Sequence, residues 1–132
     1  PEAQAFPFNI EFIDDTTLAI RWRVADGYYL YRDKINIQTP NIAEIKYSDS
    51  ETHYDDFYGE QAIYRHDNGV AYVYLTDKPL TDSKQFIHLT FQGCADKGIC
   101  YPIMKHQFAI GQGKIQATKW NPPITPLLNL YR

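Results

Sequence analysis

Along Thr17 to Val24, Leu18, Ile20, Trp22 and Val24 fall on one parity, and Ala19, Arg21 and Arg23 on the other. A strand gives this alternation when one of its faces is buried and the other is wet. The same reading predicts strands over Asn9 to Ile13, Tyr28 to Tyr31, Lys34 to Thr39, Ile42 to Tyr47, Gly69 to Thr76, Gln85 to Gln92 and Cys100 to Ile110. Between the runs stand Asp14-Asp15, Asp26-Gly27, Thr39-Pro40-Asn41, Asp67-Asn68-Gly69, Asp77-Lys78-Pro79 and Gly111-Gln112-Gly113. Such residues make turns because they tolerate positive φ, fix φ, or bond their own backbone. No ten-residue stretch has apolar positions at helical spacing. About eight short strands at spacings of roughly 8 to 12 residues predict an all-β fold, an immunoglobulin-like antiparallel β-sandwich with little helix.

Composition agrees with that picture. Eleven Tyr, seven Phe and two Trp bring the aromatic share to 15%, and rings favour pleated, half-buried surfaces. A chain of 132 residues buries roughly two-thirds of its surface on folding and does not need a disulfide to do so. Net charge is −3 with no block of Lys or Arg, so the basic footprint of a nucleic-acid binder is absent. No apolar run approaches the roughly 20 residues of a membrane span, and PEAQAFPFN at the start has no basic and apolar leader segments; a soluble domain is expected. We assign the domain to residues 1–119. Trp120 to Arg132, with three prolines between positions 122 and 126, reads either as a strap along the sandwich edge or as a linker to another domain.

Both cysteines lie in QGCADKGICYP, Gln92 to Pro102, five residues apart. Strand-like runs flank them, so the natural connection is a hairpin with the loop Ala95 to Ile99, in which Gly98 is free to take positive φ. That geometry puts Cys94 opposite Cys100, close enough for a disulfide. Closing about seven residues stabilises by only roughly 2.4 kcal/mol in the loop-entropy picture. Three readings stay open on the residues alone: a structural staple, a redox couple, or a soft metal site in which Met104, His106 and His88 join the thiols to hold Cu(I). His53, His66, His88 and His106 make no triad with a Ser or Asp, and there is no glycine-rich phosphate loop.

Three separated segments, DGYYLYR (Asp26 to Arg32), DDFYG (Asp55 to Gly59) with IYR (Ile63 to Arg65), and GCADKGICYP, occur in this order. Together they resemble the N-terminal periplasmic domain of the bacterial thiol:disulfide interchange protein DsbD. The resemblance implies an immunoglobulin-like domain in the periplasm of a Gram-negative bacterium, held at the inner membrane only through the full-length protein, with Trp120 to Arg132 leading toward a membrane domain. Such a domain acts as a protein-disulfide reductase whose cysteine pair needs no organic or metal cofactor. It is reduced by the thioredoxin-like C-terminal domain of the same polypeptide, and it reduces periplasmic thioredoxin-fold proteins such as the disulfide isomerase DsbC and the cytochrome c maturation thioredoxin.

By the same resemblance Cys100 forms the mixed disulfides and Cys94 is the resolving thiol. Asp55, Asp56, Phe57, Tyr58 and Gly59 form a cap loop whose Phe57 ring lies over the disulfide, and Tyr29 and Tyr31 line the site. The chain departs from the family pattern at Asp56, where Glu is common, and at Ile103, where a second Pro is common. Tyr29 and Tyr31 share a parity, so their side chains point the same way along one strand. A movable Phe57 would shield the sulfurs from stray thiols and withdraw for a partner. Carboxylates and rings near Cys100 would disfavour its thiolate, which predicts a thiol pKa at or above about 8.5. The rival reading is a secreted β-sandwich binding module with a structural disulfide, whose tyrosines grip a carbohydrate or peptide.

Overall fold

The computed structural model describes residues 1–80 and 84–123. A short helix, α1 (Glu2–Ala5), precedes the strands β1 (Phe8–Asp14), β2 (Thr17–Trp22), β3 (Tyr28–Tyr31), β4 (Asn36–Gln38), β5 (Ile42–Tyr47), β6 (Glu51–Asp55), β7 (Gly59–Tyr64), β8 (Val70–Leu75), β9 (Gln85–Phe91), β10 (Gly93–Ala95), β11 (Met104–Gly111) and β12 (Lys114–Thr118). They form three four-stranded sheets in the orders β1-β2-β8-β5, β12-β11-β9-β4 and β10-β3-β7-β6. Every pairing is antiparallel. The all-β, immunoglobulin-like sandwich expected from the alternation is the fold observed.

The apolar parity of β2 is buried as expected, at Leu18, Ile20 and Trp22, but the other parity is not wet: Thr17 and Ala19 are buried too, because β2 is paired on both sides, with β1 and β8, and only Arg21 stays part-exposed. Ala71, Val73 and Leu75 of β8 join them, and Ile87, Leu89 and Phe91 of β9 with Met104 and Ile110 of β11 continue the cluster between the β1-β2-β8-β5 and β12-β11-β9-β4 sheets, which Leu30 and Tyr64 of the third sheet also enter. Side chains from two facing sheets interdigitate in this way to make a sandwich core.

Four strands escape the alternation rule. β6 forms the edge of its sheet, and its one buried residue is the charged Asp55, so it has no apolar face to betray it. Its hairpin partner β7 carries its buried pair, Ile63 and Tyr64, only at the end. β12 runs beyond the Gln112-Gly113 turn, where both residues have positive φ, the signature of a two-residue hairpin. β10 is only three residues long. Two expected runs are also trimmed: Arg32–Lys34 is a 3-10 turn, so β4 starts at Asn36, and β11 starts at Met104 because Pro102 has no N–H for the ladder.

Gln92 is where the chain changes sheets. β9 before it pairs with β11, and β10 after it pairs with β3. The Gln92 carbonyl accepts from Tyr31 N at 3.0 Å, which ties the crossing to the third sheet. Gly93 is required here, since a Cβ would lie 2.5 Å from Phe6 Cε1 and 2.6 Å from the Tyr29 carbonyl oxygen, and backbone cannot give way. After β12, Trp120 sits edge-on to His88 at 5.1 Å. Asn121 N donates to Gln107 Oε1 at 2.7 Å. The start of the Pro-rich tail therefore lies on β9 and β11; residues 124–132 are outside the described part.

Candidate functional site

The crossing at Gln92 delivers Cys94 to the third sheet, where it sits opposite Tyr29 of β3 and bridges to Cys100. The loop between the cysteines closes on itself: Ala95 N donates to Ile99 O at 2.7 Å and Gly98 N to Ala95 O at 3.0 Å, with Gly98 at φ +98°. Tyr101 N donates to Gly93 O at 3.0 Å. This is the hairpin expected from the spacing, and it brings the two Cα atoms to 3.9 Å with a disulfide between them. The two sulfur-bearing residues differ in exposure. Cys94 is fully buried, while Cys100 is partly exposed at the margin of the same cluster.

Tyr29, Tyr31, Ile63 and Cys94 form a second buried cluster, separate from the main core. The rings of Tyr29 and Tyr31 meet edge to face at 5.5 Å, and both hydroxyls point at Asp55. Tyr31 donates a short hydrogen bond to Asp55 Oδ2, and Tyr29 donates to the same oxygen at 3.4 Å. Oδ1 accepts from the backbone N–H of Phe57 at 2.9 Å and of Tyr58 at 2.6 Å. One carboxylate thus organises the β6–β7 turn and anchors two tyrosines. Tyr31 oxygen also lies 3.1 Å from Cys94 Sγ, which links the buried sulfur to the carboxylate through a single hydroxyl.

Burial pushes the Asp55 carboxyl upward, but the hydrogen bonds from Tyr31, Tyr58, Phe57 and Tyr29 together outweigh it and hold the group below its ordinary value of 3.8. Asp55 is therefore an ionised acceptor at neutral pH. Burial, with the Asp55 bond as the next cause, drives the Tyr31 hydroxyl well above the tyrosine range. The Tyr29 hydroxyl is raised mainly by burial as well. Both stay protonated donors.

The remaining cap-loop residues face outward. Asp56 is exposed, Phe57 is 52% exposed and Tyr58 is 45% exposed, so neither ring is an ordinary core residue. Phe57 instead borders a cleft of about 210 Å³ shared with Tyr29, His53, Ala95 and Asp96, between the cap loop and the cysteine loop. Tyr58 rests edge-on against Tyr31 at 5.4 Å with Lys34 Nζ 4.2 Å from its ring centre. Gly59 closes the turn at φ +75°. A solvated Asp-Asp pair describes Asp56 but not Asp55, which is only 5% exposed.

The sequence reading gives no role to His53, whose ring is 4.8 Å from Tyr29, or to the Arg65–Asp96 ion pair. The signal for Asp96 is its place between the cysteines; nothing local marks His53. The residues considered for copper do not converge. Met104 is buried in the main core, His106 stacks on Phe91, His88 meets Trp120, and the two sulfurs are bonded to each other.

Comparison with known proteins agrees with this geometry. Residues 1–112 match the family model for the N-terminal region of thiol:disulfide interchange protein DsbD. The DsbD protein of Neisseria meningitidis is 35% identical over 113 residues, covering 83% of this chain and 18% of that protein. That of Escherichia coli K12 is 38% identical over 105 residues, covering 77% and 18%. The chain spans about a fifth of the length of the relatives it matches. The crystal structure of the N. meningitidis DsbD N-terminal domain in the reduced form superposes with a TM-score of 0.78 at 29% identity, covering 90% of this chain and 94% of that one. The same domain in complex with the PilB N-terminal domain gives 0.72 at 31% identity, with 90% and 93% covered. This chain belongs to the family of DsbD N-terminal domains.

Proposed function

We propose that this domain is a periplasmic protein-disulfide reductase relay, part of a larger inner-membrane protein, which takes electrons from a thioredoxin-like domain of its own polypeptide and hands them to thioredoxin-fold partners. The observation that carries this reading is the asymmetry of the pair: a disulfide with Cys94 sealed under Tyr31 and Cys100 at the accessible side. Attack on a disulfide needs an in-line path to one sulfur only. The structure of a related domain, that of N. meningitidis DsbD, has been solved in complex with the PilB N-terminal domain.

In the reducing direction, the Cys100 thiolate attacks one sulfur of a partner disulfide, and the partner's other sulfur leaves as a thiolate and takes up a proton. Cys94 then loses its proton and attacks Cys100 Sγ. The Cys94–Cys100 bond forms, the intermolecular bond breaks, and two electrons have passed to the partner. Here Asp55, Tyr29 and Tyr31 act as a fixed frame for Cys94. The Phe57, Tyr58 and Gly59 turn, with Asp56 at its tip, is the gate through which a partner reaches Cys100.

Separate cysteine variants test the assignment. Cys94→Ala traps a covalent complex with an oxidised thioredoxin-fold protein such as DsbC, stable without reductant and dissolved by dithiothreitol; Cys100→Ala traps none. Equal trapping by both variants, or none by either, refutes it. The disulfide's potential also separates relay from staple: exchange proteins fall at roughly −180 to −270 mV and structural bonds below about −300 mV.

A further inference from the structure

Arg65, one residue past the end of β7, makes a two-pronged contact with Asp96: Nη2 donates to Oδ1 at 3.0 Å and Nη1 to Oδ2 at 3.2 Å. Nη1 also donates to the Tyr28 carbonyl at 3.3 Å. The guanidinium carbon lies 5.3 Å from the Tyr29 ring centre, and Nε is 3.9 Å from Glu51 Oε1. Only 23% of the Arg65 side chain is exposed. Asp96 stands inside the loop between the cysteines, and its backbone N donates to the Gly27 carbonyl at 2.8 Å. The loop that carries the disulfide is thus gripped at Asp96 from two directions: by the turn before β3 through the backbone, and by β7 through Arg65.

Isolated surface ion pairs contribute little. This one differs in its planar fork, its partial burial over an aromatic ring, and the added backbone acceptor. We infer that Arg65 is a positioning residue for disulfide exchange: by holding Asp96 it keeps Cys94 and Cys100 face to face whether or not they are bonded. The inference rests on the exchange reading above. Ring closure is intramolecular, so its ease depends on how little the two sulfurs wander from each other. A loosened loop lowers their effective concentration, shifts the equilibrium toward the dithiol, and prolongs the mixed disulfide that the Cys94 thiolate must break.

The test equilibrates the folded domain with defined ratios of reduced and oxidised glutathione and reads the disulfide fraction by alkylation and mass spectrometry. Arg65→Gln and Asp96→Asn are each expected to shift the equilibrium constant toward the dithiol by about tenfold, or 1.4 kcal/mol at 25 °C. Arg65→Lys keeps the charge but not the fork and should fall between. Exchanging the pair, Arg65→Asp with Asp96→Arg, should recover only part of the shift, because the exchanged pair loses the Tyr28 carbonyl and the Tyr29 ring. Circular dichroism monitors folding, and Asp96→Asn, on a part-exposed loop side chain, keeps the test alive should Arg65→Gln not fold. A lowered melting temperature with an unchanged glutathione equilibrium in Asp96→Asn overturns the inference and leaves only a structural ion pair. A wild-type disulfide that glutathione cannot reduce overturns the exchange reading along with it.

Discussion

Between the sheets that hold β2 and β9 the molecule buries Leu18, Ile20, Trp22, Leu89 and Phe91 in one apolar cluster, whereas at the disulfide it buries the Asp55 carboxylate against two tyrosine hydroxyls beside Cys94. The first region relies on area removed from water, a non-directional effect that tolerates changes of shape at a modest cost. The second relies on directed bonds, where each buried donor or acceptor that loses its partner is left desolvated. A stable scaffold and a poised site are thus kept in separate clusters of one small domain. Damage to one should spare the other.

Truncating the apolar cluster is the strongest test of that separation. Leu89 is fully buried in the middle of β9, so Leu89→Ala should cost about 2 to 5 kcal/mol of unfolding free energy. A urea melt of the oxidised domain measures it, and the glutathione equilibrium of the disulfide should not move. A shift in that equilibrium would show that the two clusters act as one.

At the polar cluster the expected stability effect is smaller but the redox effect is present. Asp55→Leu removes the acceptor of Tyr31, Tyr29, Phe57 N and Tyr58 N. The two amides belong to an exposed turn and find water, so the cost is chiefly that of orphaned tyrosine hydroxyls, about 1 to 3 kcal/mol. Tyr31→Phe keeps the ring and loses the hydroxyl that joins Asp55 to Cys94, with an expected loss of about 1 kcal/mol. Both variants should alter the glutathione equilibrium; if neither does, the carboxylate–tyrosine frame has no part in the exchange chemistry.

What the sequence discloses follows the same division. β8 and β9 are legible because alternate residues along each are buried, as their sequence alternation says, and the cysteine hairpin is legible because five intervening residues with Gly98 near their end leave few other routes. Asp55 is not legible as a buried group. Beside Asp56 it reads as a solvated turn residue, and only the side chains of β3, distant in the chain, turn it inward. Gly93 looks like an ordinary strand glycine until Phe6 from the first turn of the chain is found against it. β6 is silent because an edge strand needs no apolar face. Directed, long-range contacts are what alternation cannot encode, and they make up most of the site.

The smallest expected effect, a change in the slope of stability with pH, separates the two regions by their titrating groups. His106 lies against the apolar cluster, stacked 5.7 Å over Phe91 and 4.8 Å from Phe8, with Glu2 Oε1 4.0 Å from its Nε2. Burial lowers its pKa below the ordinary 6.5, and Glu2 only partly offsets this. The unfolded chain then takes up a proton more readily than the folded one, so stability falls as pH drops below about 6.5 and levels off beneath the folded value. Asp55 is depressed as an acid, so its contribution is complete above about 3.8 and is lost as pH falls through its lower folded pKa. Two acid limbs should therefore appear in urea midpoints measured between about pH 2.5 and 8. His106→Gln should flatten the upper limb alone, and Asp55→Asn the lower one alone. If His106→Gln leaves the upper slope intact, the histidine is not held neutral by burial, and the apolar region has no proton linkage of its own to set against that of the disulfide end.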